Sequence, residues 1–265
     1  MAAVITGASK GIGLALALKL AASGISVYSL SRTVPPDPAV KHIFCDVSDK
    51  QSVEDAFRKF FDIEPTIEML VNNAGIGISG AAEYASEEDI KRIFDVNFRG
   101  AVYCSQQVIP KMREQKNGKI IFISSAGAVF PIPFQSFYTA SKSSLSAFSD
   151  GLRMELRPFG IQAGTVLLCD TKTDFTENRK KSTAGSEFYG ERMERSVSMM
   201  ENDEQNGMSA EKAGEKIARY LAKKKVKAHK AIGSQFRIPL SFLLFLNRIL
   251  PRNWVLGIIY RIYGK

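Results

Sequence analysis

Tyr138 and Lys142 stand four residues apart in "FYTASKSSLSAF", a spacing that puts both side chains on one face of a helix. A phenol beside an ammonium can pass a proton. Free tyrosine has a pKa of about 10, poorly matched to neutral pH, and a neighbouring cation favours the phenolate. Ser125, in "ISSAG", follows an apolar run. It therefore stands at the carboxyl end of an expected strand, where parallel sheets place reactive groups. Each residue also has a structural alternative. Ser124 or Ser125 could cap the next turn, Lys142 could be a solvated helix charge, and Tyr138 could belong to the core.

A second group opens the chain. In "TGASKGIG" (6–13), Gly7, Gly11 and Gly13 permit a tight turn and close backbone approach. With Ser9 and Ile12 they lead into a helix whose N-terminus offers unpaired N–H groups to a pyrophosphate. A ligand-free glycine turn is the alternative, but a strand before and a helix after is the context that dinucleotide binding needs. The next strand ends in "SLSRTV". A site selective for NAD carries a carboxylate near that point. Here Ser31 is followed by Arg32, and Lys10 lies inside the glycine loop. Arginine can hold a 2′-phosphate through paired hydrogen bonds, so NADP(H) is the expected cofactor. The alternative is that both cations are simply solvated.

These groups need a scaffold. Apolar runs at 2–6, 25–31, 41–45, 66–72, 118–124, 161–168 and 229–233 read as strands, several with little alternation, as in sheets covered on both faces. Amphipathic stretches lie between them near 11–23, 50–61, 86–115, 138–158 and 209–225. Strand–helix alternation implies an α/β, single-domain, doubly wound Rossmann fold with a parallel seven-stranded sheet. No linker or repeat divides the 265 residues. The expected organisation is a cofactor-binding catalytic body over 1–235, with a substrate lid at about 174–207, and a C-terminal amphipathic helical extension over 236–265.

With "NNAG" (72–75) and the "DVN" that ends in Asn97, these motifs resemble the short-chain dehydrogenase/reductase family from Ala3 to about Gly233. The hydroxysteroid and retinol dehydrogenase-like branch is the part most resembled. The resemblance implies a tetrad of Asn97, Ser125, Tyr138 and Lys142. Tyr138 would be the general acid or base, and Ser125 would hydrogen-bond the substrate oxygen. Lys142 would bind the nicotinamide ribose and lower the tyrosine pKa, and Asn97 would hold a relay water. It also implies cofactor contacts from Asp46, Val47, Asn73, Ala74, Gly75 and Thr173, and a homodimer or tetramer. Asp46 could instead cap the helix beginning near Lys50. One departure is visible in "LLCDTKTDF": Leu168 and Cys169 stand where the family usually has Pro-Gly, and Thr171 replaces a branched apolar residue.

The expected substrate is a small apolar carbonyl or alcohol, of lipid, steroid or retinoid kind. "FPIPFQSF" (130–137) supplies a stiff apolar wall through Phe130, Ile132 and Phe134, and the lid adds Phe188. An acyl chain on a carrier protein, or a protein that binds NADPH without turnover, are the alternative readings. Cys45, Cys104 and Cys169 are far apart, and "MAAVITGASKGIG" leaves no room for a cleavable signal, so a reducing, cytoplasmic setting is expected. The two histidines are distant from each other and from the cysteines, so no metal site is expected. No nucleic-acid module accompanies the positive charge.

The net charge of +9 is unevenly spread. Residues 216–265 hold twelve Lys or Arg and no acid; the remaining 24 basic and 27 acidic residues leave 1–215 at −3. The closing stretch, "PLSFLLFLNRILPRNWVLGIIYRIYGK", contains uncharged runs of only ten and eight residues, Ile238–Asn247 and Asn253–Tyr260. A spanning helix needs about 20. Two short amphipathic helices broken at Pro251 are expected. They could lie at a bilayer surface, helped by the upstream "KKKVKAHK" (223–230), or pack over the cleft or a dimer interface.

Overall fold

Strands without apolar alternation need cover on both faces, and the chain supplies it. In the computed structural model, which describes residues 1–235 and 237–265, all five residues of β1 (Ala2–Thr6) are buried. Around it run β2 (Ser26–Ser31), β3 (Val40–Phe44), β4 (Met69–Asn72), β5 (Gly118–Ser125), β6 (Ile161–Leu168) and β7 (His229–Ile232). The seven strands are parallel, in the order β3-β2-β1-β4-β5-β6-β7. Winding reverses between β1 and β4, which opens a crevice beyond their carboxyl ends.

The helices α1 (Gly11–Ala21), α2 (Lys50–Ile63), α3 (Glu87–Phe94), α4 (Gly100–Gln115), α5 (Ser136–Leu156), α6 (Ser186–Tyr189), α7 (Glu191–Gln205) and α8 (Ala210–Leu221) complete the body. One apolar layer joins Val53, Phe57 and Phe60 of α2 to Cys104, Val108 and Met112 of α4 and Leu145 and Leu152 of α5. The opposite layer packs Leu16 and Leu20 of α1 against Ile217 and Leu221 of α8. The three cysteines are free and buried. Asp49, not Asp46, caps α2 by accepting from Gln51 N at 2.9 Å. The helical stretch expected over 86–115 is interrupted by a π-helical turn, Asp95–Arg99, joining α3 to α4. Such turns insert one residue and recur at functional sites.

The extension forms α9 (Leu240–Ile249) and α10 (Arg252–Tyr263), parted at Pro251 as expected; its first residue, Phe236, lies outside the described residues. Among the described residues no helix is long and apolar enough to cross a membrane.

A single hydroxyl ties the crevice together. Thr6 Oγ1, at the end of β1, accepts from the backbone N–H groups of Asn73 and Ala74 at 3.0 Å each. Asn73 returns its side-chain amide to the carbonyls of Thr6 and Gly7 at 3.0 and 3.2 Å. Thr6→Val keeps the shape and strands two N–H donors, each costing about 1–3 kcal/mol if left unpaired. The expected result is a lower urea midpoint with an unchanged m-value, measured by equilibrium unfolding.

Candidate active site

The glycine loop leaves β1 with Gly7 at φ +66° and enters α1 with Gly11 at φ +57°, backbone that favours glycine. A Cβ on Gly13 would stand 2.5 Å from Asn73 Nδ2 and 2.6 Å from the Gly7 carbonyl, so the loop can close only without one. Lys10 precedes α1 and provides no side-chain cap, and the first turn holds no acid. The leading N–H groups of α1 therefore face a cleft of about 440 Å³ with their dipole end uncompensated. Ser9, Lys10, Ile12, Ser31, Arg32, Asp46, Val47, Ala74, Gly75 and Thr173 line the same cleft, as do Tyr138 and Lys142. These surroundings fit a dinucleotide: uncapped N–H groups, missing side chains at the turn, and cations near one end.

Several side chains are spent differently from the expectation. Ser31 turns its hydroxyl to Thr33 O at 2.8 Å and to Ser29 Oγ at 2.8 Å. Asp46 accepts twice from Ser48, at 3.0 and 2.7 Å. Burial works to raise the Asp46 pKa, but those bonds and the Arg32 charge prevail and hold it below the usual carboxylate range. Lys10 pairs with Asp174 at 3.7 Å across the cleft mouth, both side chains being more than half exposed. Arg32 has no carboxylate within 4.0 Å among the described residues.

The four catalytic candidates converge where β5 ends. Ser125 accepts from Gly127 N at 3.0 Å, so the capping role and a place in the cleft coexist. Ser124 donates to the Lys142 carbonyl at 3.0 Å, which fixes α5 to β5. Lys142 is 5% exposed and donates through Nζ to Ile123 O at 3.0 Å; its ammonium lies 5.9 Å from the Tyr138 ring centre. Asn97 sits behind the cleft wall in the π turn. Its Oδ1 accepts from Ile76 N at 2.8 Å, and its Nδ2 donates to Ile76 O and Ser141 Oγ, each at 3.0 Å. A Cβ on Gly75 would meet Lys142 Nζ at 3.2 Å and Asn97 Oδ1 at 3.3 Å, so both groups flank a bare backbone.

The electrostatics differ from the expectation that Lys142 lowers the Tyr138 pKa. Burial pushes Tyr138 up to about 12, opposed by a hydrogen bond with Ser125, and the charges of Glu204 and Asp170 raise it further than Arg179 offsets. Burial likewise drives Lys142 down to about 8. Both groups are pressed towards their neutral forms, which is the desolvation effect.

Without Pro-Gly, the chain stays in register past β6. Leu168 and Cys169 are buried, and Cys169 N donates to Ile232 O at 3.1 Å. Thr171 and Lys172 then pair with Met208 and Ser209. Thr173 Oγ1 accepts from Phe175 N at 3.2 Å, and the Thr173 side chain faces Gly11 across the cleft.

The family described as short chain dehydrogenase matches residues 1–184. The chain belongs to the short-chain dehydrogenase family. A 3-ketodihydrosphingosine reductase of Bacteroides thetaiotaomicron is 37% identical over 255 residues, covering 95% of this chain and 92% of the relative. A probable short-chain type dehydrogenase/reductase, VdlC, of Helicobacter pylori is 33% identical over 262 residues, covering 95% and 94%. A short-chain dehydrogenase from Streptomyces avermitilis superposes with a TM-score of 0.83 over 96% of this chain and 95% of its own, at 25% identity. This short-chain dehydrogenase is thus an oxidoreductase whose family works with nicotinamide dinucleotides.

The cleft beside Tyr138 is lined differently from the expectation. None of the four expected contacts lines the cleft. Phe130 packs beside Leu167, Cys169 and Leu240. Ile132 and Phe134 pack against Val197, Met200 and Tyr263. Phe188 is 73% exposed and stacks on Tyr84 at 6.3 Å. The aromatic ring that reaches Tyr138 is Phe175, 5.8 Å away between centroids. Arg179, its side chain 1% exposed, lies over Phe175 at 5.4 Å and pairs with Glu204 at 2.5 Å. The segment expected to form a lid is further stitched down by Lys180 to Asp89 at 2.7 Å and by pairing of Lys180–Lys181 with Ile78–Ser79. A hydrophobic position near "TDF" was a usable signal for Phe175; the ion pair, 25 residues apart in the chain, left none.

The buried ammonium yields a stability prediction. The folded pKa of Lys142, about 8, is below its ordinary 10.5. The penalty for burying its charge is therefore complete below about pH 8 and is relieved as pH rises towards 10.5. Lys142→Met is expected to unfold at a higher temperature than the wild type near pH 7, with the gap closing between pH 8 and 10.5. Calorimetric scans across that range check it.

Proposed function

We propose that this enzyme is an NADPH-dependent reductase of a long-chain, lipid-like ketone, with Tyr138 as proton donor. The observation that carries the reading is the partly buried Tyr138, in the cleft with Ser125 and Lys142. Its phenol stays protonated through neutral pH, the state that can give a proton to a carbonyl oxygen. Ser125 is placed to donate to the same oxygen as charge grows on it. Once the phenolate forms, the Lys142 ammonium beside it, already loosened to about 8, stabilises that charge and can return a proton. Asn97 holds Ile76 and Ser141 and so fixes both the cofactor loop and α5. The cofactor supplies the hydride.

NADPH is favoured over NADH because Arg32 lines the cleft at the end of β2 without a carboxylate partner among the described residues, and no acid occupies Ser31 or its neighbour. The exposed Lys10–Asp174 pair is weak enough to be exchanged for a phosphate. The lipid-like substrate is supported by the nearly full-length Bacteroides relative and by Phe175 at the reacting end. A long-chain base carries an ammonium close to its ketone. Asp170 lines the cleft, has no basic partner within 4.0 Å among the described residues, and is raised by burial to about 6, as a carboxylate awaiting a cation would be. The acyl-carrier alternative fits less well. It needs basic residues at the cleft mouth, whereas the run at 223–230 lies before β7, with Lys119 at the start of β5 bonded to Leu221 O and Lys223 O. That is the amino edge of the sheet, opposite the cleft. A cytoplasmic homodimer or tetramer, the usual state of family members, belongs to the same reading.

Two measurements test it. Tyr138→Phe is expected to lower kcat for a long-chain 3-ketone by roughly 10²–10⁴-fold while NADPH affinity stays unchanged. A wild type that reduces small ketones but no long-chain ones would sink the substrate assignment. Arg32→Ala is expected to weaken NADPH about tenfold or more, the size of a lost charge-assisted contact, and to leave NADH binding unaltered by titration fluorimetry.

A further inference from the structure

The extension has two unlike faces. Its inner face is part of the protein. Leu240 is 1% exposed and packs with Leu167, Cys169 and Phe130. Ile259, Ile262 and Tyr263 of α10 close on Val197 and Met200 of the lid helix α7 and on Ile132 and Phe134. Polar contacts lock the arrangement. Tyr263 donates to Asp203 at 2.6 Å, Arg192 to the Gly264 carbonyl at 3.0 Å, and Arg252 to the Val129 carbonyl at 3.0 Å. The extension is therefore seated on the substrate lid at a fixed angle.

The outer face is unlike the surface of a dissolved protein. Phe242, Phe245 and Ile249 form one stripe along α9, exposed by 50%, 55% and 61%. On α10, Trp254 and Ile258, one turn apart, are exposed by 66% and 51%. Scattered apolar side chains on a surface are ordinary, but five large ones exposed along two short consecutive helices mark a contact surface. The charges interleaved with it are all of one sign. Arg248 and Arg261 are exposed, and no acidic residue occurs anywhere in 216–265. The lysine run expected to assist sits at the opposite edge of the sheet, so the arginines of the extension must supply the attraction.

We propose that this face docks on the surface of an anionic lipid bilayer, with the aromatic and aliphatic stripe in the interfacial zone and the arginines on headgroup phosphates. Charge decides the occupant. A second copy laid face to face would set arginines against arginines with no carboxylate to receive them, whereas anionic headgroups offer both partners the face needs. Ten and twelve residues are too few to span, so the helices lie flat. Because the inner face holds α7 and the segment with Ile132 and Phe134, docking brings the lid close to the bilayer, where a lipid ketone would be found. That purpose rests on the function proposed above; the docking itself is read without turnover.

Trp254 is the single tryptophan of the chain, so its emission reports from the face itself. The full chain is mixed with phosphatidylcholine vesicles with and without phosphatidylglycerol, and pelleting and Trp254 emission are followed. The expected result is co-sedimentation and a blue shift with anionic vesicles, reversed by salt. Phe245→Ser with Ile249→Ser should weaken binding at least tenfold, and Arg248→Gln with Arg261→Gln should remove the preference for anionic lipid. Unchanged reduction of a small soluble ketone shows that each variant is folded. No sedimentation and no shift would overturn the proposal, as would a self-association abolished by Phe245→Ser, which would assign the face to a second copy. Vesicle binding by a protein that reduces no long-chain ketone would overturn the proposed substrate and leave the docking face standing.

Discussion

A lysine ammonium buried at the floor of a cleft is the constraint around which the molecule is arranged. Lys142 has little water, so the protein must bring its partners to it. The Ile123 carbonyl at the end of β5 accepts from it, and Ser124 grips its own carbonyl to hold the turn of α5 in place. Gly75 yields the space for it, and the Asn97 amide borders the same bare backbone. Asn97 in turn is delivered by the π turn between α3 and α4. Four separated segments therefore meet at one charge, and the position of Tyr138 follows from theirs. The ammonium is expensive to bury, and the proposed proton transfer beside a carbonyl would draw on that polarised, water-poor setting.

The sheet, and the grouping of Ser125, Tyr138 and Lys142 in one cleft, were legible because their signals are local. Apolar runs bounded by helical patterns gave each of the seven strands nearly to the residue, and a four-residue spacing placed Tyr138 and Lys142 together. Boundaries failed where backbone chemistry decides them. The start expected at residue 66 falls at Met69, and the capping carboxylate of α2 is Asp49, three positions beyond the one considered. The π turn left no mark, since inserting one residue in a helix changes its phase but not its composition.

The substrate side was read least well, for a physical reason. Which face of a lid meets the cleft is set by contacts between distant segments, not by hydropathy. Phe188 is apolar yet turned outward to Tyr84, while the polar stretch around it supplies Arg179 and Glu204 to the interior as a mutually neutralising pair. Phe134 takes a left-handed backbone at φ +63°, a conformation strained for a bulky residue. Its carbonyl is held by Gly80 N at 2.9 Å and its ring by Tyr189, which sets how the chain enters α5. No sequence pattern announces a strain that only tertiary contacts sustain.

The π turn has one more consequence. Successive residues of a helix differ by about 100° in direction, so the extra residue at 95–99 leaves α3 and α4 out of phase. Before it, Asp89 faces Lys180 of the lid; after it, Cys104, Val108 and Met112 face the core. A single-residue deletion there would restore an unbroken helix and satisfy every backbone bond. It would also rotate one half against the other, so either the lid anchor or the core face would be lost. Asn97 apart, this stretch should tolerate exchange of side chains far better than any change in its length.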